Sequence, residues 1–128
     1  MSRFQRNRSY SRAEIHAALG GSVQAYLPTV DGVVVAGCFR RDTNPDAPAV
    51  VLPGNGPIII TTAESFAASG RAVPVFIKQS VGDWCFVGDW RVSRLSRDPL
   101  EIRVHGKRAG RTAVSCVLHL SEVTRPDV

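Results

Sequence analysis

The sequence has few cysteines, no long hydrophobic run and no internal repeat. Its three cysteines, Cys38, Cys85 and Cys116, stand singly in apolar stretches without Cys-x-x-Cys spacing, so no disulfide framework is indicated. We expect them to be reduced core thiols of a cytoplasmic protein. The longest apolar runs, Gly32 to Cys38 and Pro57 to Ile60, are far too short to cross a bilayer, and the N-terminus lacks the apolar stretch of a secretory signal. No membrane role is indicated.

Motifs for catalysis and cofactor binding are also missing. The three histidines, His16, His105 and His119, are far apart, so a zinc site would need ligands from unconnected elements. The Gly-rich segment 20–28 lacks the Lys-Ser/Thr ending of a phosphate-binding P-loop. We therefore predict a binding module with no catalytic residue, no metal site and no cofactor. Any nuclease activity would reside in a separate domain or partner.

Length and composition indicate one globular domain. The chain has 128 residues, with 44% hydrophobic and 21% charged residues, which is ordinary for a globular protein that buries a core without disulfides. We expect a flexible basic arm over residues 1–9, a single folded domain over residues 10–123 and a loose tail over residues 124–128.

Positive charge is in excess and is unevenly distributed. Sixteen Lys and Arg oppose eleven Asp and Glu, giving a net charge of +5, and nearly all the cations are arginines, which suit bidentate phosphate contacts. The cations cluster before Glu14 and again between residues 91 and 111. The alternative is an ordinary basic surface, but we predict phosphate binding by Arg6, Arg8, Arg12, Arg94, Arg97, Lys107, Arg108 and Arg111.

A predicted β-hairpin contains both tryptophans. Its arms are Val73 to Gln79 and Trp84 to Val92, joined by the turn residues 80–83. On a regular strand Trp84, Phe86, Gly88 and Trp90 would share one face, with Gly88 leaving a gap between rings that could receive a flat ligand.

The remaining pattern predicts an α+β fold. One helix is expected over Arg12 to Leu19 with a capping box from Ser11, a second from Thr61 or Thr62 to Ser69, and a third from Asp98 to about His105. Asp31-Gly32 is predicted to form a hairpin turn, and residues 112–123 are expected to form a last strand. The count of six or seven short strands favours a small, strongly bent sheet closing into a barrel, with about three short helices packed outside.

Several short motifs resemble the PUA superfamily. They are Gly20-Gly-Ser-x-Gln24, Gly37-Cys-Phe39, Asn44-Pro-x-Ala-Pro48, Val75-Phe-Ile-Lys78 and Trp84-x-Phe-Val-Gly-Asp-Trp-Arg-Val92. Across residues 10–123 their order is most similar to the SRA-like and EVE-like domains found with HNH nucleases in modification-dependent restriction. The resemblance implies a reader of double-stranded DNA that flips a modified base, 5-methylcytosine or a related modification, into an aromatic pocket. It also implies a possible nuclease partner.

The residue types needed for such a pocket are present. Stacking on an aromatic ring returns about 1–3 kcal/mol per base, against a few kcal/mol for flipping. The candidate pocket residues are the walls Trp84, Trp90 and Tyr26, the acceptors Asp83 and Asp89, and Gln24 and Ser22 for the rest of the base edge. The two aspartates could equally cap turns or pair with arginines.

Two other functions remain open. An RNA-binding module of the same superfamily would use similar surfaces, and a small enzyme or protein-interaction domain would not bind nucleic acid at all. Salt-dependent binding to duplex DNA separates the last of these from the others.

Overall fold

The computed structural model describes residues 4–124, which form three helices and eight strands. In chain order they are β1 (Ser9–Tyr10), α1 (Arg12–Leu19), β2 (Thr29–Val30), β3 (Val33–Val34), β4 (Gly37–Phe39), β5 (Val50–Val51), α2 (Pro57–Ser69), β6 (Val73–Ser80), β7 (Asp83–Ser96), α3 (Pro99–Ala109) and β8 (Val117–Glu122). The predicted α+β class is confirmed.

Strand β7 is the centre of a six-stranded mixed sheet. The sheet order is β4-β6-β7-β8-β5, and β1 pairs with the first part of β7 while β8 pairs with its second part. The β4–β6 pair is parallel and the other pairs are antiparallel. The predicted closure into a barrel is not confirmed, because the end strands β4 and β5 do not pair within residues 4–124.

Two turns form where the sequence predicted them. The β6–β7 hairpin turns through residues 81–82, and β2 and β3 form a separate two-stranded hairpin around Asp31 and Gly32. Asp31 has φ 50° and Gly32 has φ 78°, the pair of positive values that a tight Asp-Gly hairpin turn requires.

The expectation that Trp84, Phe86, Gly88 and Trp90 share one face is wrong. Phe76 is opposite Phe86, but Pro74 is opposite Asp89, so β7 carries one extra residue in between. This β-bulge coincides with Gly88, whose φ is 107°. Because an extra residue reverses the alternation of side chains, Trp84 and Phe86 lie on one face of the sheet and Trp90 lies on the other.

Residues 4–9, predicted as part of a flexible arm, pack on the sheet. Phe4 is buried and makes edge-to-face contacts with Phe76 and Tyr10, each at 4.9 Å between ring centroids. Asn7 N donates to Phe86 O, and Phe86 N donates to Arg8 O. The folded unit therefore begins at or before Phe4, because a buried aromatic ring anchors this segment. Residues 1–3 and 125–128 lie outside the described part of the chain.

Helix α1 has the predicted bounds and cap. Ser11 Oγ accepts from Glu14 N at 3.0 Å, and the Glu14 carboxylate accepts from Ser11 N at 2.9 Å, which completes the capping box.

The other two helices are longer than predicted. Helix α2 begins at Pro57, not at Thr61 or Thr62, because Gly56 is its N-cap and the proline takes the first helical position. Helix α3 is capped by Asp98 as predicted, but it continues through Gly106 to Ala109, with Gly110 as its C-cap. Gly106 stays inside the helix, where an added Cβ would lie 2.8 Å from Arg111 O.

Hydrophobic clusters lie on both faces of the sheet. The larger contains α2 through Phe66 together with Val75 and Leu118, and Trp90 packs against it. The second contains α1 through Ile15 together with Phe4, Phe76, Phe86 and Trp84. A small third cluster of Leu52, Val114 and Val117 adjoins α3 through Ile102. Within residues 4–124, none of the three helices combines the length and hydrophobicity needed to span a bilayer.

The bulge makes Gly88 a position where alanine is costly. A Cβ there would lie 2.6 Å from Glu122 Oε2 and 2.7 Å from Arg6 Nη2, so these two side chains would have to move and their ion pair would be disturbed. The positive φ also disfavours any L side chain. We expect Gly88→Ala to lower the free energy of unfolding by about 1–3 kcal/mol, measured by urea denaturation. Gly82→Ala is the control, since Gly82 also has positive φ (79°) but a Cβ there meets nothing within 4 Å. Equal losses in the two variants would contradict the steric part of this account.

Candidate nucleic-acid interface

Two adjoining cavities lie on either side of a wall formed by Gln24, Tyr26, Thr43 and Asn44. The smaller, about 280 Å³, is called here the Trp84 cavity, and its other lining residues are Arg12, Val23, Cys38, Arg40, Lys78 and Trp84. The larger, about 440 Å³, is called the Pro53 cavity and extends from the same wall to Leu52, Pro53 and the first turn of α2. The Trp84 cavity is close to the lower end of the roughly 300–1,000 Å³ usual for drug-sized ligands, so it suits a single small ring system.

One side of the wall is a loop held against α1. Ser22 Oγ accepts from Gln24 N at 3.0 Å and from Ala25 N at 3.2 Å, which closes a tight turn. Arg12 Nη2 donates to Ser22 O at 2.9 Å and to Ala25 O at 2.8 Å, so the arginine fastens the loop to the helix. Cys38 N donates to Tyr26 O, which ties the loop to β4.

The other side of the wall is fixed by Asn44 and Arg111. The buried Asn44 side chain accepts from Leu52 N through Oδ1 at 2.7 Å. Arg111 Nη1 donates to Thr43 O at 2.9 Å and to Leu52 O at 2.8 Å. Both sides are therefore held by hydrogen bonds to backbone, which makes the cavity largely preformed.

The Trp84 cavity is electropositive. Of the described residues that line it, Arg12, Arg40 and Lys78 are cationic and none is acidic, although Arg40 pairs with Asp42 just outside the cavity. The Arg12 guanidinium carbon lies 5.1 Å from the Trp84 ring centroid and Lys78 Nζ lies 5.8 Å from it. Arg12 Nε is buried and has no hydrogen-bond partner within residues 4–124. Such a surface favours ligands that present hydrogen-bond acceptors or negative charge.

Two ionisable groups of the walls stay neutral. Burial raises the pKa of the Cys38 thiol to about 12, although the nearby Arg12 charge partly opposes the rise. Burial is the main cause that raises the pKa of the Tyr26 phenol, and the nearby Cys116 adds to the rise. The phenol therefore remains a donor, and it donates to Ile59 O at 2.8 Å.

The structure brings together three of the predicted pocket residues and places the other four elsewhere. Trp84, Tyr26 and Gln24 all line the Trp84 cavity, and Ser22 shapes the adjoining turn without lining either cavity. Trp90 packs against the larger hydrophobic cluster, and its Nε1 donates to Val87 O at 3.0 Å. The bulge in β7 is the reason for this separation.

The two predicted acceptors lie at different ends of the hairpin. Asp83 is exposed next to the turn and accepts from Ser80 Oγ at 2.5 Å. Asp89 is buried beside the bulge, and its backbone oxygen accepts from Val123 N. Neither aspartate lines the Trp84 or the Pro53 cavity.

Half of the predicted phosphate-binding residues form ion pairs within the domain. The pairs are Arg6 with Glu122, Arg94 with Glu101, Arg97 with Glu64, and Arg108 with Asp46.

The other four predicted phosphate-binding residues have different surroundings. Arg12 and Arg111 donate to backbone carbonyls, Arg8 lies 5.7 Å from the Tyr10 ring centroid, and Lys107 lines a groove beside α3. The clustering of arginines along the sequence did not predict these ion pairs, because in three of the four the acidic partner is 33 to 116 residues away in sequence.

Sequence reasoning did not select several residues of the cavity. Cys38, Arg40, Thr43, Asn44 and Lys78 line the Trp84 cavity. Three of them, Cys38, Asn44 and Lys78, belong to the short motifs that carry the PUA-superfamily resemblance, so those motifs contained a usable signal. Nothing in the spacing of the motifs indicated that they would meet at one cavity.

Comparisons with known proteins find similar structures but no matching family model or curated sequence. The Type IV phosphorothioation-dependent restriction endonuclease ScoMcrA is similar to the chain with a TM-score of 0.56 and 21% identity, over 97% of this chain and 27% of that protein. The chain thus spans about a quarter of that endonuclease.

Two structures with bound DNA are also similar. The sulfur-binding and SRA domains of ScoMcrA in complex with phosphorothioated DNA align with a TM-score of 0.55 and 18% identity, over 98% of this chain and 41% of that one. The SRA domain of SUVH5 in complex with hemimethylated CG DNA aligns with a TM-score of 0.57 and 12% identity, over 99% and 90% of the two chains. The predicted resemblance to SRA-like domains is confirmed at the level of the fold: the chain folds as an SRA domain does.

Proposed function

We propose that this chain is a DNA-binding module that recognises a modified base, 5-methylcytosine or a related modification, flipped into the Trp84 cavity. The observation that carries the proposal is a small, preformed, electropositive cavity with aromatic walls, on the fold of SRA domains that were crystallised with modified DNA. The module acts as a specificity domain for restriction or epigenetic sensing. Cleavage, where it occurs, belongs to another domain or chain.

Flat surfaces in the cavity supply stacking. The Arg12 guanidinium lies over the Trp84 ring and Tyr26 lines the same cavity, so these three side chains are the candidates for stacking on a base. Guanidinium planes and aromatic rings both stack on unpaired bases, and an aromatic contact returns about 1–3 kcal/mol. The hydrogen bonds of Arg12 to Ser22 O and Ala25 O keep its plane in position, which reduces the entropy lost on binding.

Amide side chains are the candidates for reading the base edge. Gln24 is exposed at the shared wall and offers both a donor and an acceptor. Asn44 Oδ1 accepts from Leu52 N, and Asn44 Nδ2 donates to Thr43 Oγ1 at 3.3 Å, which leaves one of the two Nδ2 hydrogens for the ligand. In this proposal Gln24 and Asn44 take the role that the sequence alone suggested for Asp83 and Asp89.

Phosphate contacts are assigned to the cations beside the β6–β7 turn. A groove of about 330 Å³ shares Arg40 and Lys78 with the Trp84 cavity and is also lined by Arg41, Asp42 and the turn residues 79–81. Arg40 pairs with Asp42, so Lys78 and Arg41 are the cations available for phosphate. Lys78 has no carboxylate within ion-pair distance among residues 4–124. Neutralising phosphates releases counterions, so these contacts make binding sensitive to salt whatever the base.

Base recognition is tested by a matched pair of tryptophan variants. We expect Trp84→Leu to reduce the preference for a duplex with 5-methylcytosine over an unmodified duplex, while Trp90→Leu keeps the preference because Trp90 is in the opposite core. Gln24→Ala should reduce the discrimination by about 1–3 kcal/mol, the usual size of an edge contact. Gln5→Ala serves as its control, since Gln5 is exposed and lines neither the Trp84 nor the Pro53 cavity.

The measurement is competition binding of folded variants at fixed salt, with duplexes carrying single modified bases and an RNA duplex in the panel. A preference unchanged in both Trp84→Leu and Gln24→Ala would place the pocket elsewhere. A preference for the RNA duplex would favour the RNA-binding alternative.

Phosphate binding is tested by two charge reversals of equal size. Lys78→Glu should weaken binding to modified and unmodified duplexes alike and reduce the slope of log K against log salt by about 1. Arg97→Glu should have a much smaller effect, because Arg97 pairs with Glu64 and lines neither the Trp84 cavity nor the groove. Equal losses would mean that net charge, rather than this groove, determines affinity.

A further inference from the structure

Three metal-ligating side chains meet between α3 and β8. Glu101 and His105 are four residues apart on α3, one helical turn, and His119 is on β8. One potential ligand atom from each residue lies within 4.8 Å of the other two. All three residues are partly buried, and the His105 and His119 rings are 6.0 Å apart at 76°. The spacing of the histidines in the sequence gave no indication of this cluster, because the fold joins two separate elements.

The hydrogen bonds around His119 Nε2 are mutually incompatible. Arg94 Nη2, which can only donate, lies 3.0 Å from this nitrogen, and a Glu101 carboxylate oxygen, which accepts, contacts the same nitrogen. If Nε2 carries a proton it faces the guanidinium donor, and if it has a lone pair it faces the carboxylate. A single ring nitrogen cannot satisfy both neighbours, whichever tautomer His119 adopts. A cation bound to both Nε2 and the carboxylate would remove the conflict.

The surroundings orient the carboxylate and leave one imidazole available. Ser96 Oγ donates to Glu101 Oε2 at 2.6 Å, so the second carboxylate oxygen is held from outside the cluster, as outer hydrogen bonds hold metal ligands. Within residues 4–124, the His105 imidazole makes no hydrogen bond, so its ring nitrogens are free to bind a ligand.

We propose that Glu101, His105 and His119 form a binding site for a first-row divalent transition metal of the Zn²⁺ class. Two imidazoles and one carboxylate are a common donor set for Zn²⁺, with a fourth position left to water, whereas Mg²⁺ and Ca²⁺ prefer oxygen ligands alone. This inference does not rest on DNA binding.

Arg94 is a competitor for the same site. Its guanidinium contacts both oxygens of Glu101 at 3.2 Å, and its positive charge opposes a metal ion there. More than half of the Arg94 side chain is exposed, so it can turn towards solvent when the metal binds. Metal binding therefore excludes the Arg94–Glu101 ion pair, and removal of the guanidinium should strengthen metal binding.

The experiment is a titration of the chain, free of any histidine tag, with Co²⁺ and Zn²⁺. We expect one equivalent of Co²⁺ to give the visible absorption of a low-coordinate nitrogen and oxygen site, and Zn²⁺ to displace it. His105→Ala and His119→Ala should each weaken binding at least about 10-fold. His16→Ala is the matched control, since His16 lies on α1 beside Gly21 O and is the third histidine of the chain. Arg94→Gln should bind more tightly than the unaltered chain.

Two results would overturn the proposal. One is the absence of stoichiometric Co²⁺ or Zn²⁺ binding by the unaltered chain. The other is equal affinity in His105→Ala, His119→Ala and His16→Ala, which would mean adventitious binding elsewhere. Circular dichroism of each metal-free variant establishes that it is folded. If His119→Ala does not fold, His105→Ala and Glu101→Gln decide the matter, because both residues are on the outer helix α3.

Discussion

The architecture depends on one glycine with positive φ in the middle of the central strand. Strand β7 pairs with β6 along its first part and with β8 along its second, and the bulge at Gly88 lies where one partner gives way to the other. The extra residue turns Trp84 towards the core under α1 and Trp90 towards the core under α2. A side chain larger than hydrogen would meet Glu122 and Arg6, which form an ion pair directly above it. The course of β7, the bulge at Gly88 and the position of the Arg6–Glu122 ion pair therefore depend on one another.

Local chemistry predicted the local elements well. The capping box at Ser11, the Asp31-Gly32 turn and the β6–β7 hairpin each depend on residues close in sequence, and all three are present. Helix α2 was predicted to begin too late, because threonines near its start suggested a cap. Their hydroxyls instead donate to carbonyls one turn earlier, Thr61 to Pro57 O and Thr62 to Ile58 O.

Predictions that needed long-range information were less successful. Alternation along β7 predicted one aromatic face, but alternation holds only while a strand has no bulge, and a glycine in the sequence does not reveal a bulge by itself. Three of the seven residues selected for a base pocket, Trp84, Tyr26 and Gln24, line one cavity, while its lining residues Asn44 and Lys78 were not selected. Charge was the hardest property to interpret: a cluster of arginines in sequence identifies neither Glu122 nor Asp46 as partners. The Trp84 cavity differs from the surroundings of these paired arginines, because no acidic side chain lines it.

The pairing of distant strands has a consequence for how the chain acquires its structure during synthesis. Ser9 pairs with Cys85 and Val50 pairs with His119, so these strands find partners 76 and 69 residues later in the chain. Such non-local contacts carry a large loop-closure cost and slow folding. Strand β5 pairs with β8 and cannot be completed until β8 has left the ribosome. The domain must therefore fold after nearly all of it has been translated, with its strand edges exposed until then.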